Sequence, residues 1–160
     1  MRLARGIDNR EVETEHETKS ISAEETFSSD KANKEFLLSV LRSQVEEVAQ
    51  QLRAKKLEAR TITLKIRYGN FRTVTRSKSF EPTNTTRTLL IQANEIFNKW
   101  HKKSAGALRL LGFGASGLSP EGNGQKTLFP DPEDEKQKEI DKIYDRIRKK
   151  FGENALKRGN

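Results

Sequence analysis

Between Thr61 and Phe80 apolar and polar residues alternate in two arms around a Gly-Asn pair. In the first arm Ile62, Leu64 and Ile66 alternate with Thr61, Thr63, Lys65 and Arg67. A period of two is that of a strand with one apolar face and one face of hydroxyls and cations. Gly69-Asn70 supplies turn chemistry, because both residues tolerate positive φ. The segment therefore predicts a β-hairpin. Its second arm ends in Arg76-Ser77-Lys78-Ser79. Strict alternation back from Arg76 and Lys78 puts Val74 on their face. Either Val74 is exposed or a bulge near Thr75 resets the register.

Other segments show their own periods. In Lys19–Phe27, Ile21, Ala23 and Phe27 fall at alternating positions, with Glu25 on the same side, and predict a first strand. Ser28-Ser29-Asp30 offers N-cap chemistry for a helix over residues 31–56. Leu37, Val40, Leu41, Val45, Val48 and Leu52 recur there at spacings of three and four, the stripe of a core-facing helix. Gln44, Glu46, Glu47, Gln50, Gln51 and Arg53 fill the other side. Pro82 and Thr83-Asn84-Thr85 end the hairpin and cap a second helix over about 86–102, with Leu89, Leu90, Ala93, Ile96, Phe97 and Trp100 as its buried face. Lys99, His101, Lys102 and Lys103 crowd its last turn, where cations meet the negative pole of the helix dipole. A last strand runs from Ala107 to about Gly114, with Leu108 and Leu110 flanking Arg109. The order is βαββαβ, an α+β fold. Two amphipathic helices can cover one face of a four-stranded sheet and leave the other open.

Composition adds domain limits. In 160 residues, 32% hydrophobic and 34% charged, one modest core with polar extensions is expected. Residues 1–18 read as a linker, 19–118 as the domain, 119–132 as a loop and 133–160 as a charged helix and tail. The helix, 133–151, carries a narrow stripe of Ile140, Ile143, Tyr144, Ile147 and Phe151, which could dock, fray or meet a partner. Cysteine is absent, so disulfides, thiolate metal sites and a Cys nucleophile are excluded. His16 and His101 lie far apart, without ligand spacing, and no metal site is expected. No apolar run reaches transmembrane length, and a soluble, intracellular chain with no membrane partner is expected.

The net charge of +8 is unevenly placed. Residues 60–110 hold eleven Lys and Arg against Glu81 and Glu95, a net +9, while residues 1–59 carry −2 and residues 111–160 carry +1. The surplus sits on the hairpin and the segment after it. Such a field attracts polyanions, nucleic acid first and anionic membrane second.

Four collinear motifs make the chain similar to a known family. Lys19–Phe27 resembles the first strand of the little-finger domain of Y-family translesion DNA polymerases of the bacterial DNA polymerase IV type. Thr63–Phe80 resembles that domain's central hairpin, and Leu108–Leu118 its last strand. Gly6–Val12 is similar to the linker joining thumb to little finger. The likeness runs over residues 5–118. Beyond it, Gln125-Lys126-Thr127-Leu128-Phe129 resembles the bacterial sliding-clamp motif at Gln125, Leu128 and Phe129, with Lys126 where the motif has Leu. Asp131 and Pro132 stand where the eukaryotic and archaeal clamp box has aromatics.

The resemblance implies an antiparallel sheet in a reversed ferredoxin-like order. It also implies a sheet-face contact with template-primer duplex, made mainly to phosphates. Carried over residue by residue, the DNA contacts are Lys19, Ser20, Lys65, Arg67, Thr75, Arg76, Ser77, Lys78 and Arg109. The implied partners are template-primer DNA, the bacterial β sliding clamp and the other polymerase domains, in a bacterial cytoplasm, on the nucleoid. The family's chemistry uses palm carboxylates that hold two Mg²⁺ ions. No palm motif occurs here, and Glu11, Glu13, Glu15 and Glu17 carry no mark of a two-metal site. The expectation is a non-catalytic C-terminal fragment that needs no cofactor. The competing reading is a protein-interaction adaptor, whose tail binds partners and whose basic sheet packs on another domain. An RNA-binding sheet would display stacking aromatics on its open face, and the expected face offers hydroxyls and cations instead.

Overall fold

The computed structural model describes residues 18–104, 106–122 and 131–152. Strand β1 (Ser20–Lys31) leads to helix α1 (Lys34–Ala54). The hairpin follows as β2 (Leu57–Tyr68) and β3 (Thr73–Thr83). Helix α2 (Thr86–Ser104), β4 (Leu108–Ser116), a two-residue β5 (Ser119–Pro120) and helix α3 (Pro132–Phe151) complete the order. The main sheet reads β1-β4-β2-β3 with every pair antiparallel. β5 extends it by pairing with the start of β2.

The two amphipathic stripes explain the layering. Leu37, Leu41, Val45, Val48 and Leu52 of α1 are fully buried, as are Leu89, Ala93 and Phe97 of α2. They close on one sheet face made by Ile62, Leu64 and Ile66 of β2 and by Leu111, Phe113 and Ala115 of β4, in one contiguous core. Gln44 belongs to this buried side and not to the polar one. It is 5% exposed, and its Nε2 donates to the Leu111 carbonyl at 2.8 Å. Trp100 anchors the far end, with its indole N–H donating to Tyr68 Oη at 2.9 Å.

Several boundaries differ from the sequence reading. β1 continues through Ser28-Ser29-Asp30 to pair Lys31 with Leu108. The cap of α1 is Asn33, whose side chain accepts from Phe36 N at 2.9 Å. The helix ends at Ala54, and Lys56 takes positive φ. β2 then begins at Leu57 and adds the buried Ala59. The turn also differs. Tyr68 N–H donates to the Arg72 carbonyl and Phe71 N–H to the Tyr68 carbonyl, which makes a three-residue loop of Gly69, Asn70 and Phe71. Its left-handed residue is Phe71, at φ 68°, and neither Gly69 nor Asn70 has positive φ. Gly69 lies against the Asp30 carboxylate, which a Cβ there would displace.

The register of β3 resolves as continuous from Thr73 to Ser79. The irregularity lies between Ser79 and Thr83, around Pro82, which cannot donate to the ladder. A second shift falls at Arg109. Leu110 pairs with Arg67 but Leu108 with Tyr68, so the two leucines that flank Arg109 face opposite sides of the sheet.

The charged helix α3 is docked, through its polar side. Asp141 is 1% exposed and accepts from Thr86 N–H, in the first turn of α2, at 3.0 Å. Arg53 sits beside it at 3.4 Å and grips both oxygens of Asp145 at 2.6 and 2.9 Å. Arg148 reaches Glu46 at 3.3 Å. A helix N-terminus carries unsatisfied N–H groups and the positive end of the dipole, so a buried carboxylate is stabilised there. Of the apolar stripe, Ile140, Tyr144 and Ile147 are half-buried, while Ile143 and Phe151 are exposed.

Candidate nucleic-acid interface

The sheet face turned away from the helices is built by register. Across the four strands run the rows Ser20, Ser116, Thr61 and Ser79; Ser22, Gly114, Thr63 and Ser77; Glu24, Gly112, Lys65 and Thr75; and Thr26, Leu110, Arg67 and Thr73. Ser, Thr, Lys and Arg dominate. Gly112 and Gly114 leave the middle of β4 bare, so a shallow groove runs between β1 and β2. A Cβ at 112 would lie 3.0 Å from Glu24 Cβ, tight enough to push that side chain aside. Leu110 is 2% exposed between Thr26 and Arg67 and gives the arginine stem an apolar floor.

Hydroxyl pairs knit the hairpin side of this face. Thr63 and Ser77 oxygens are 2.7 Å apart, Thr61 and Ser79 2.9 Å, and Arg67 Nε donates to Thr73 Oγ1 at 2.9 Å. The loop closure explains the closeness. Tyr68 and Arg72 exchange the loop's closing bond, so the alternate pairs, from Arg67–Thr73 to Thr61–Ser79, are the non-hydrogen-bonded ones, in which side chains approach most. β3 is an edge strand. At those same alternate positions its main-chain N–H groups point outward. Thr73, Thr75, Ser77 and Ser79 thus offer a row of amide donors at the rim, each beside a hydroxyl.

Ser20, Lys65, Arg67, Thr75 and Ser77 are brought together on this face, and Lys19 is exposed just before Ser20. Arg109 lies at the other end of β4 and is held by Asp30 at 2.8 Å. Arg76 and Lys78 pair with Leu64 and Ile62, which puts both on the helix side of the edge strand. Arg76 turns back to the Thr75 carbonyl at 2.9 Å. Lys78 is bound to Glu95 of α2 at 2.8 Å. The hydrogen bond from Lys78, then that from Lys99, holds the Glu95 carboxyl below the usual carboxylate range. Gln125, Leu128 and Phe129 lie outside the described residues.

The sequence reading missed Glu24, a carboxylate on the open face, 3.3 Å from Lys65 Nζ. The alternation of Ser20, Ser22, Glu24 and Thr26 was the signal, obscured by attention to the apolar positions between them. Among the described residues, no group of three or more His, Asp or Glu side chains is placed to hold a metal ion. No helix among them is long and apolar enough to cross a membrane.

The arrangement is an antiparallel sheet with α1 and α2 on one face and a hydroxyl-rich opposite face that carries Lys65, Arg67 and Glu24. Residues 18–128 match the model of the impB/mucB/samB family C-terminal domain. The chain belongs to that family, and the matched region is its little-finger domain. DNA polymerase IV of Brucella melitensis biotype 1 is 35% identical over 159 residues, 99% of this chain and 35% of that protein. DNA polymerase IV of Dehalococcoides mccartyi (strain ATCC BAA-2100) is 36% identical over 158 residues, 98% of this chain and 40% of that protein. The chain thus spans 35% to 40% of the length of these relatives. A solved Y-family DNA polymerase chimera shares the fold at 12% identity and a TM-score of 0.58, over 66% of this chain and 30% of that one.

Proposed function

We propose that this domain grips template-primer duplex DNA through phosphate contacts from its open face and the rim of β3, as a non-catalytic part of a translesion polymerase. The observation that carries this reading is the open face itself. Lys65 and Arg67 stand beside hydroxyls from all four strands, along a rim of outward amides. Cations, hydroxyls and main-chain N–H groups are phosphate ligands, and phosphate contacts position a protein without reading bases. A polymerase that crosses damaged template needs a grip of this kind. Catalysis, with its palm and Mg²⁺, belongs to other domains of the parent protein, and this domain works beside them in a bacterial cytoplasm. The test is binding of several duplexes of unrelated sequence. Affinities within about twofold of one another are expected, and a strong preference for one sequence would overturn the reading.

The second contact is with the sliding clamp, through Gln125, Leu128 and Phe129. These residues lie between Gly122 and Asp131, whose neighbours are anchored. Gly122 N–H donates to Glu58 Oε1 at 3.1 Å, and Asp131 caps α3 through Glu133 N at 3.0 Å. Phe129→Ala is expected to abolish co-elution with the β clamp and leave duplex binding unchanged. Retained co-elution would remove the motif from the account.

A further inference from the structure

Phe71 is a bulky residue at φ 68° on the hairpin tip, and it is 75% exposed. The third position of such a loop favours glycine, because a side chain in the left-handed region is strained. Here the loop's glycine stands two residues earlier, against the Asp30 carboxylate. Burial does not repay the strain. The backbone is instead held by the loop bonds, with Asn70 Oδ1 accepting from Arg72 N–H at 3.0 Å. An exposed aromatic kept in a strained conformation points to a contact outside the chain.

The surroundings select the partner. Arg72 lies over the Tyr68 ring at 5.2 Å on the helix side of the hairpin, and Arg67, one ladder position further along, lies on its open face. Tyr68 Oη donates to the Ser104 carbonyl at 3.3 Å, which brings the last turn of α2, with Lys102 and Lys103, beside the hairpin. The nearby carboxylate, Asp30, is already bound by Arg109. An apolar protein partner would meet cations on both faces of the hairpin end. A nucleobase offers a flat π face for the ring and a phosphate for the cations.

We propose that Phe71 is a stacking platform for an unpaired nucleobase at the end of the duplex held by the open face. The inference rests on the duplex grip proposed above, and its test separates the two. The full chain is titrated with a blunt duplex and with the same duplex carrying a few unpaired template nucleotides. The native chain is expected to prefer the overhang by about tenfold, in the range of one base stacked on an aromatic ring. Phe71→Gly should remove the preference, leave blunt-duplex affinity and its salt dependence unchanged, and raise the melting temperature by a few degrees as the strain is relieved. Phe71→Tyr should keep the preference. Equal native affinity for the two substrates, or a preference that survives Phe71→Gly, overturns the platform and leaves the grip standing. An equal loss on both substrates would assign the ring to the duplex and also overturn it. Failure of the native chain to bind even the blunt duplex would overturn both proposals.

Discussion

Asp141→Ala is expected to lower the folding free energy by about 3 kcal/mol, read as a shift of the urea midpoint at unchanged slope. Asp141 is buried on α3, yet one of its oxygens, Oδ2, serves two other elements. It accepts the Thr86 N–H of α2 at 3.0 Å, and it also lies 3.4 Å from the Arg53 guanidinium of α1. Alanine would leave a buried N–H without its acceptor and would strip one of the two carboxylates from Arg53, whose side chain is only 12% exposed. Asp145 still holds Arg53 at 2.6 Å, which keeps the loss below that of a fully orphaned buried charge. Asp141→Asn separates the two roles. Its amide oxygen can still accept from Thr86, so it should cost about half as much. Equal stability of the alanine variant and the parent would show that α3 is not held as described.

The second large effect is on DNA. Arg67→Ala is expected to weaken duplex binding about tenfold at low salt, equally for all sequences, and to reduce the salt slope by about one phosphate's share. Glu24→Gln should do the reverse. Glu24 is the carboxylate of the open face and shares Lys65 at 3.3 Å. Removing its charge frees the lysine and deletes an anion from the path of the phosphates, so affinity should rise severalfold. Opposite signs from two neighbouring residues are hard to obtain from a general loss of folding. Lys78→Ala provides the contrast. Its ammonium is engaged by Glu95 on the helix side of β3 and should matter less than Arg67. If Lys78→Ala were the more damaging change, the DNA would lie on the helix side of β3 and not across the open face.

Much of this was legible in the chain. The helical stripes from Leu37 to Leu52 and from Leu89 to Trp100, and the alternation from Thr61 to Arg67, fix the elements, because burial of one face imposes the period. The hairpin that the alternation predicts is present as β2 and β3. Alternation alone failed wherever the backbone departs from regular geometry. The shift at Arg109 sends Leu108 and Leu110 to opposite faces. Pro82, and not Thr75, breaks the β3 ladder, so Arg76 and Lys78 stay with Ile62 and Leu64 on the helix side. Local polarity misled for Gln44, and it gave no sign of the burial of Asp141. Each is buried beside a distant backbone group that it bonds, the Leu111 carbonyl or the Thr86 N–H. Periodicity carries no information about such pairings. Glycine and asparagine drew the turn to positions 69 and 70, whereas the left-handed residue is Phe71, an assignment that residue preference argues against.

The central claim is that the open face binds DNA through its phosphates. Its most direct measurement is fluorescence anisotropy of a labelled primer-template titrated with the chain over a series of salt concentrations. The logarithm of the association constant should fall linearly with the logarithm of salt, with a slope of about −3 for three to four phosphates neutralised. An affinity that stays the same from low to high salt would contradict it.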